Sequence, residues 1–164
     1  MAFYPNSSLI GVNLNAASAT QDFALGSVCN GSDGTVWQYV NAATAVTAYQ
    51  VVAISTSGTM GKCSIADAVL GLQLAVAQCA FSGSQYGWVP IHGTGGPGTT
   101  LKAQFSATTT QNVAIYIATS TGNLSTTASS ATMQGVAIQT ATVTAGITAY
   151  TVVVTWPRVP SPGV

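Results

Sequence analysis

Leu25-Gly-Ser-Val-Cys29, Asn30-Gly-Ser-Asp-Gly34 and Thr35-Val-Trp-Gln-Tyr-Val40 follow one another without a break. The middle five residues are turn-formers throughout, while the last six are β-branched or aromatic except for Gln38. Together they read as a β-hairpin. Asp33 is accounted for by the turn, because its short carboxylate can accept bonds from its own backbone beside Gly34.

The same grammar continues outward. Residues 41–48 are a small-residue connection, Tyr49 to Ile54 a strand, and Ser55 to Gly61 a turn cluster. Leu72–Phe81 and Gln85–Ile91, flanking Ser82-Gly-Ser84, read as a second hairpin. Further strands are expected at 101–106, 112–118, 133–139 and 149–156, with a Ser/Thr/Ala-rich loop from Ser120 to Thr132. Short strands with turn signals at intervals of about 8–15 residues predict an all-β fold. The expected architecture is an antiparallel β-sandwich or barrel, a jelly roll being one such arrangement. Ser64-Ile-Ala-Asp67 has the outline of a capping box, so at most one short helix is expected after it. Val46-Thr-Ala-Tyr49-Gln-Val-Val52 is echoed by Ile147-Thr-Ala-Tyr150-Thr-Val-Val153, which fits either a duplicated β unit or repeated use of good strand residues.

Three segments follow. Residues 1–24 form an N-terminal arm, 25–156 a β domain with its natural internal boundary at the 93–100 glycine loop, and 157–164 a proline-rich C-terminal tail. Hydrophobic arms need partners. Phe3, Tyr4, Leu9, Ile10, Trp156, Pro157 and Val159 are therefore the expected contact residues with a neighbouring protein.

Composition excludes much. Of 164 residues, 4% are charged, against about 25% in an average soluble domain. Lys62, Lys102 and Arg158 balance Asp22, Asp33 and Asp67, and His92 is the one histidine. Three cations cannot neutralise a run of phosphates or make a polybasic membrane site, so neither nucleic acid nor membrane is an expected partner. Mean hydropathy is +0.43, yet the most apolar stretch, Ala66 to Phe81, is broken by Asp67, Gly71, Gln73 and Gln78 and is no membrane span. Met1-Ala-Phe-Tyr-Pro-Asn6 lacks a basic and then apolar leader, so no secretory signal is expected. Cys29, Cys63 and Cys79 have no zinc-like spacing and read as buried reduced thiols. A net charge of zero favours association, which points to assembly.

Catalytic motifs fail on inspection. Gly93-Thr-Gly-Gly-Pro-Gly98-Thr-Thr100 has Thr99 where a phosphate loop needs lysine, and Pro97 removes a backbone donor. There is no G-x-S-x-G elbow to pair with His92. The three aspartates are explained by turns, caps or termini, which leaves no carboxylate pair for glycoside hydrolysis. The expectation is a protein without catalytic residues, cofactor or metal. Trp37, Trp88, Tyr39 and Tyr86 suggest a sugar-stacking platform, although aromatics on strands usually belong to cores and interfaces.

Several segments carry a family resemblance. They are Leu25-Gly26, Gly31-Ser-Asp-Gly-Thr35 with Trp37 and Tyr39-Val40, and Thr47-Ala-Tyr49 with Val51-Val-Ala-Ile54. Val76-Ala-Gln78 with Ala80-Phe81, Gln85-Tyr-Gly-Trp-Val89 with Ile91 and Gly93, Gly135-Val-Ala-Ile138 and Trp156-Pro-Arg-Val159 complete the set. In this order the chain resembles the small capsid decoration (cement) proteins of tailed bacteriophages. The resemblance implies a non-enzymatic virion protein on the outer surface of the head, made in the bacterial cytoplasm. It would bind the major capsid protein at subunit junctions and associate with itself as a dimer or trimer. The alternatives are a phage tail or fibre subunit, or a carbohydrate-binding β-sandwich module.

Overall fold

The computed structural model describes residues 12–31, 33–64, 72–93, 101–106, 109–110, 114–118, 122–126, 132–138, 142–143 and 148–158. Within them the chain is all-β, without a helix. The helical turn expected after Ser64-Ile-Ala-Asp67 falls on residues outside the described set.

In chain order the strands are β1 (Ala17–Ser18), β2 (Val28–Asn30), β3 (Val36–Ala42), β4 (Val51–Ile54), β5 (Thr59–Lys62), β6 (Gln73–Val76) and β7 (Tyr86–Gly93). Then come β8 (Lys102–Phe105), β9 (Thr109–Thr110), β10 (Ile115–Ile117), β11 (Leu124–Ser125), β12 (Thr132–Ile138), β13 (Thr142–Val143) and β14 (Thr148–Arg158). Twelve of them form one sheet in the order β12-β10-β11-β8-β14-β7-β3-β5-β4-β6, with β1 on β7 and β2 on β3. β9 and β13 pair separately. The ladders are antiparallel except β3–β5 and β8–β11, so the sheet is mixed.

The first hairpin forms where its turn residues place it, with Cys29 opposite Trp37. Asp33 Oδ1 accepts from the backbone N–H of Thr35 at 3.1 Å and from the Thr35 hydroxyl at 2.6 Å. The same Thr35 oxygen accepts from the buried Trp37 indole N–H at 2.7 Å. One turn carboxylate thus orients a hydroxyl, which satisfies the polar atom of a core side chain.

The second hairpin is corrected by the structure. Its turn exists, closed by Gln85 N–H to Ser82 O and by Ser82 N–H to Gln85 Oε1. However, the turn hands its backbone groups to Ala42, which accepts from Ser84 N–H and donates to Gln85 O. Leu72–Phe81 also yields a shorter strand than expected. β6 pairs with β4, Val76 facing Val51, whereas β7 pairs with β3, Trp88 facing Tyr39. The physical reason is Phe81. It exchanges two backbone bonds with Val46 and enters the core, which carries the chain across to β3 before it can fold back on β6.

Both faces of the central strands are buried. Trp37, Tyr39, Val51, Ala53, Leu74, Val76 and Trp88 join one hydrophobic cluster, and their strand neighbours Val40, Val52, Ile54, Ala75, Val89 and Ile91 join a second. The first cluster extends through Phe105, Ile117, Leu124 and Val154 into the other half of the chain.

The sheet curls until β6 lies beside β7 and β14 without a ladder. A side chain helps to close it. Gln78 Oε1 accepts from Lys102 N–H at 3.0 Å, and Gln78 Nε2 donates to Lys102 O at 3.0 Å and to Val76 O at 3.1 Å. Gln104 N–H donates to Tyr49 O, Tyr49 lying in the left-handed region at φ 72°. The edge of β8 away from β14 is thus met by an amide side chain and a loop carbonyl, and then by β11. Tyr150, the sequence counterpart of Tyr49, lies inside β14 opposite Ala103, so the two echoing segments are not equivalent in the fold.

Residues 12–24, the described half of the expected N-terminal arm, lie on this chain's own domain. Val12 and Leu14 are buried, and β1 pairs with Tyr86 and Gly87. A Cβ on Gly87 would come within 2.7 Å of the Phe81 ring and 3.0 Å of Ala16 O. Only glycine lets β1 approach this closely.

Gln78 gives a test of the closure. Gln78→Glu keeps the acceptor for Lys102 N–H but sets a carboxylate oxygen against two carbonyls. At neutral pH it should cost about 1–2 kcal/mol, more than Gln78→Ala. Protonating the introduced acid restores a donor, so chemical denaturation should show the excess disappearing as pH falls through the carboxylate range.

Candidate functional site

The most unusual surface feature lies at the end of β14. Val154 and Thr155 pair with Gly93 and His92 of β7, while Arg158 pairs with Gln134 of β12. The β12–β14 register breaks between Gln134 and Val136, at Gly135, whose φ is 80°. The next residue of β14, Trp156, is also left-handed at φ 50° and is 55% exposed. Its ring lies on His92, centroids 5.5 Å apart and planes 27° apart. His92 Nδ1 is buried and has no hydrogen-bond partner among the described residues.

Each part has a local cause. Val152 and Val154 are buried and hold β14 in its ladder. The irregularity at Gly135 then re-aims the strand, as bulges do, and turns the indole outward onto His92. A bulky residue at positive φ costs of order 1–3 kcal/mol and persists only where its surroundings force it. The result is a rigid, exposed aromatic shelf.

The structure divides the seven expected contact residues. Trp156 is exposed, whereas Pro157 is buried in the same strand. Phe3, Tyr4, Leu9, Ile10 and Val159 lie outside the described residues. The tail expected to begin at 157 is still strand at Pro157 and Arg158. Val28, 57% exposed on β2, is a large apolar surface residue that the sequence reading passed over. Its signal was present, since alternation with the inward Cys29 turns Val28 out. The contact between His92 and Trp156 had no such signal, because it depends on the β7–β14 register.

Three of the four strand aromatics take the reading usual for their kind, core rather than sugar platform. Trp37, Tyr39 and Trp88 are 5%, 2% and 3% exposed and belong to the core. Tyr39 and Trp88 pack at 5.1 Å, with Phe23 edge-on to both at 5.3 Å. The two tryptophans present no stacking face to a sugar. Residues 94–100 of the glycine loop lie outside the described set.

All three cysteines are free thiols, Cys29 and Cys63 buried and Cys79 half-buried. Burial pushes Cys29 and Cys79 up to about 11, so both are protonated at neutral pH and weakly nucleophilic. Among the described residues, no three His, Cys, Asp or Glu side chains are grouped to hold a metal ion.

Two measurements follow. Gly135→Ala should lower stability by about 2 kcal/mol or more, since alanine is strained at this φ and its methyl meets the Thr155 and Trp156 carbonyls. Thermal unfolding with indole fluorescence reads both the loss and the displaced Trp156. The thiols set an alkaline limit. From an ordinary value of 9.0, the unfolded chain loses its thiol protons first, so stability should fall as pH rises from 9.0 towards 11. Urea midpoints across that range should flatten in Cys29→Ala and Cys79→Ala.

Comparison of the chain with protein-family models, curated proteins and solved structures finds no match.

Proposed function

We propose that this chain is a structural virion protein that decorates the outside of a phage head, bridging major capsid subunits and associating with its own copies. The observation that carries the reading is Trp156, an exposed indole fixed by strained backbone on a surface almost without charge. Large exposed aromatics in a rigid setting are the usual anchors of protein interfaces. The partner is inferred from the resemblance of the motif order to that of phage decoration proteins.

A neutral surface also suits the task. A cement subunit binds in many copies side by side, and like-charged copies would repel one another. Serine and threonine hydroxyls satisfy polarity here without charge: Ser55, Ser57 and Thr59 bond in sequence at 2.8 and 3.2 Å on the surface. The function requires neither catalytic group nor cofactor.

Mixing the purified chain with undecorated heads and pelleting them tests the reading. The chain should co-sediment at both low and high salt, because few charges are available to be screened. Trp156→Ala should abolish co-sedimentation while changing stability by less than about 1 kcal/mol, since the ring is exposed. Failure of the native chain to pellet with heads at either salt would overturn the proposal.

A further inference from the structure

A second feature lies away from the Trp156 shelf. Between the 12–23 segment and β7 is an open cleft of about 220 Å³, lined by Asn13, Ser18, Asp22, Phe23 and Tyr86, with Trp88 at its side. The cleft is smaller than pockets for drug-sized ligands, about 300–1,000 Å³, and is scaled to one small ring. We infer that it binds a single neutral sugar ring, stacked on Tyr86 and hydrogen-bonded to Asp22 and Asn13.

Three observations carry this. First, the aromatic group offers one flat surface rather than a cage. Phe23, Tyr39 and Trp88 pack tilted or edge-on at 5.1–5.3 Å, which uses their faces on one another. Tyr86 instead lies nearly parallel to Tyr39, 13° and 6.4 Å away, and is half-buried. A flat electron-rich ring among the residues that line a cleft is a partner for the C–H face of a pyranose. A quaternary ammonium would instead need several faces turned inward.

Second, the polar groups are complementary and unused. The Asp22 carboxylate is exposed and has no protein partner among the described residues; only its backbone N–H is engaged, donating to Tyr39 Oη at 3.0 Å. Asn13 Oδ1 accepts from Asn15 N–H at 3.0 Å, and the Asn13 amide N–H₂ has no partner among the described residues. Acceptor and donor beside one aromatic face suit vicinal hydroxyls, each of which both donates and accepts.

Third, the cleft is built on rigid parts. β1 pairs with Tyr86 and Gly87 on one wall, Asp22 is tethered to Tyr39 beneath it, and Phe23 is wedged against Trp88. Little ordering entropy remains to be lost when a ligand enters.

The test titrates the full chain with methyl α-glucopyranoside, methyl α-mannopyranoside and methyl β-galactopyranoside, following ring and amide NMR signals. Tetramethylammonium chloride serves as the cation probe. At least one glycoside should give saturable shifts centred on Tyr86, Phe23, Asp22 and Asn13. Asp22→Ala should weaken that binding about tenfold or more by removing a charged acceptor. Tyr86→Leu should likewise weaken it, because the substitution removes the flat ring on which the sugar stacks. Absence of shifts with all three glycosides, response to tetramethylammonium alone, or unchanged binding in Asp22→Ala would each overturn the inference. Asp22 is exposed, so its variant should remain folded, and the NMR spectrum reports this directly.

Discussion

The structure depends on burying both faces of its central strands. A strand with one wet face alternates apolar and polar side chains, whereas one covered on both sides reads as a continuous apolar run. Val51-Val-Ala-Ile54 is buried at every position, as are Leu74, Ala75 and Val76. Such strands need two covers. The curl of the sheet brings β3, β4, β6 and β7 together over one cluster, while the 12–25 segment and the β8–β14 half cover the other. Part of the low charge follows directly. Central strands with no solvent face have no place for Lys or Glu.

A curled sheet must also satisfy its edges, because unpaired backbone groups are costly when water is excluded and invite other chains when it is not. Here the edge of β8 is completed by Gln78, whose amide presents an acceptor and a donor as a neighbouring strand would. The left-handed turn at Tyr49 aims a carbonyl at the next free N–H along that edge. These two devices let strands remote in sequence meet without sharing a ladder.

The boundary of what the sequence reveals follows this division. The β2–β3 hairpin was legible because Asn30-Gly-Ser-Asp-Gly34 encodes its own turn locally. The all-β class was legible because turn signals recur between β-branched runs. The partner of β6 was not legible, since Val76 fits β4 and β7 equally well by composition and the choice is made by Phe81 reaching Val46. Gln78 reads as an interruption in an apolar run, not as a substitute strand, because its partner Lys102 is 24 residues away. At the candidate site, the sequence drew attention to Trp156 through its hydrophobicity. The support from His92 and the strain imposed at Gly135 depend on register, which no local pattern encodes. The tryptophans that looked like a platform were drawn inward by the same two-sided burial.

That burial also sharpens what the neutral surface means. Once the central strands account for part of the missing charge, the remaining absence belongs to positions at or near the surface such as Ser55, Ser57 and Thr59, which carry bonded hydroxyls in place of charges. Hydroxyls there give solubility through hydrogen bonds that another protein surface can replace. Charges would have to be desolvated before such a surface could dock, at a penalty that apolar contact seldom recovers. Trp156 adds the complementary term, an apolar side chain already fixed in place, so that docking loses little side-chain entropy. On the decoration role we propose, low desolvation cost around one preorganised anchor would let each copy bind through a small area.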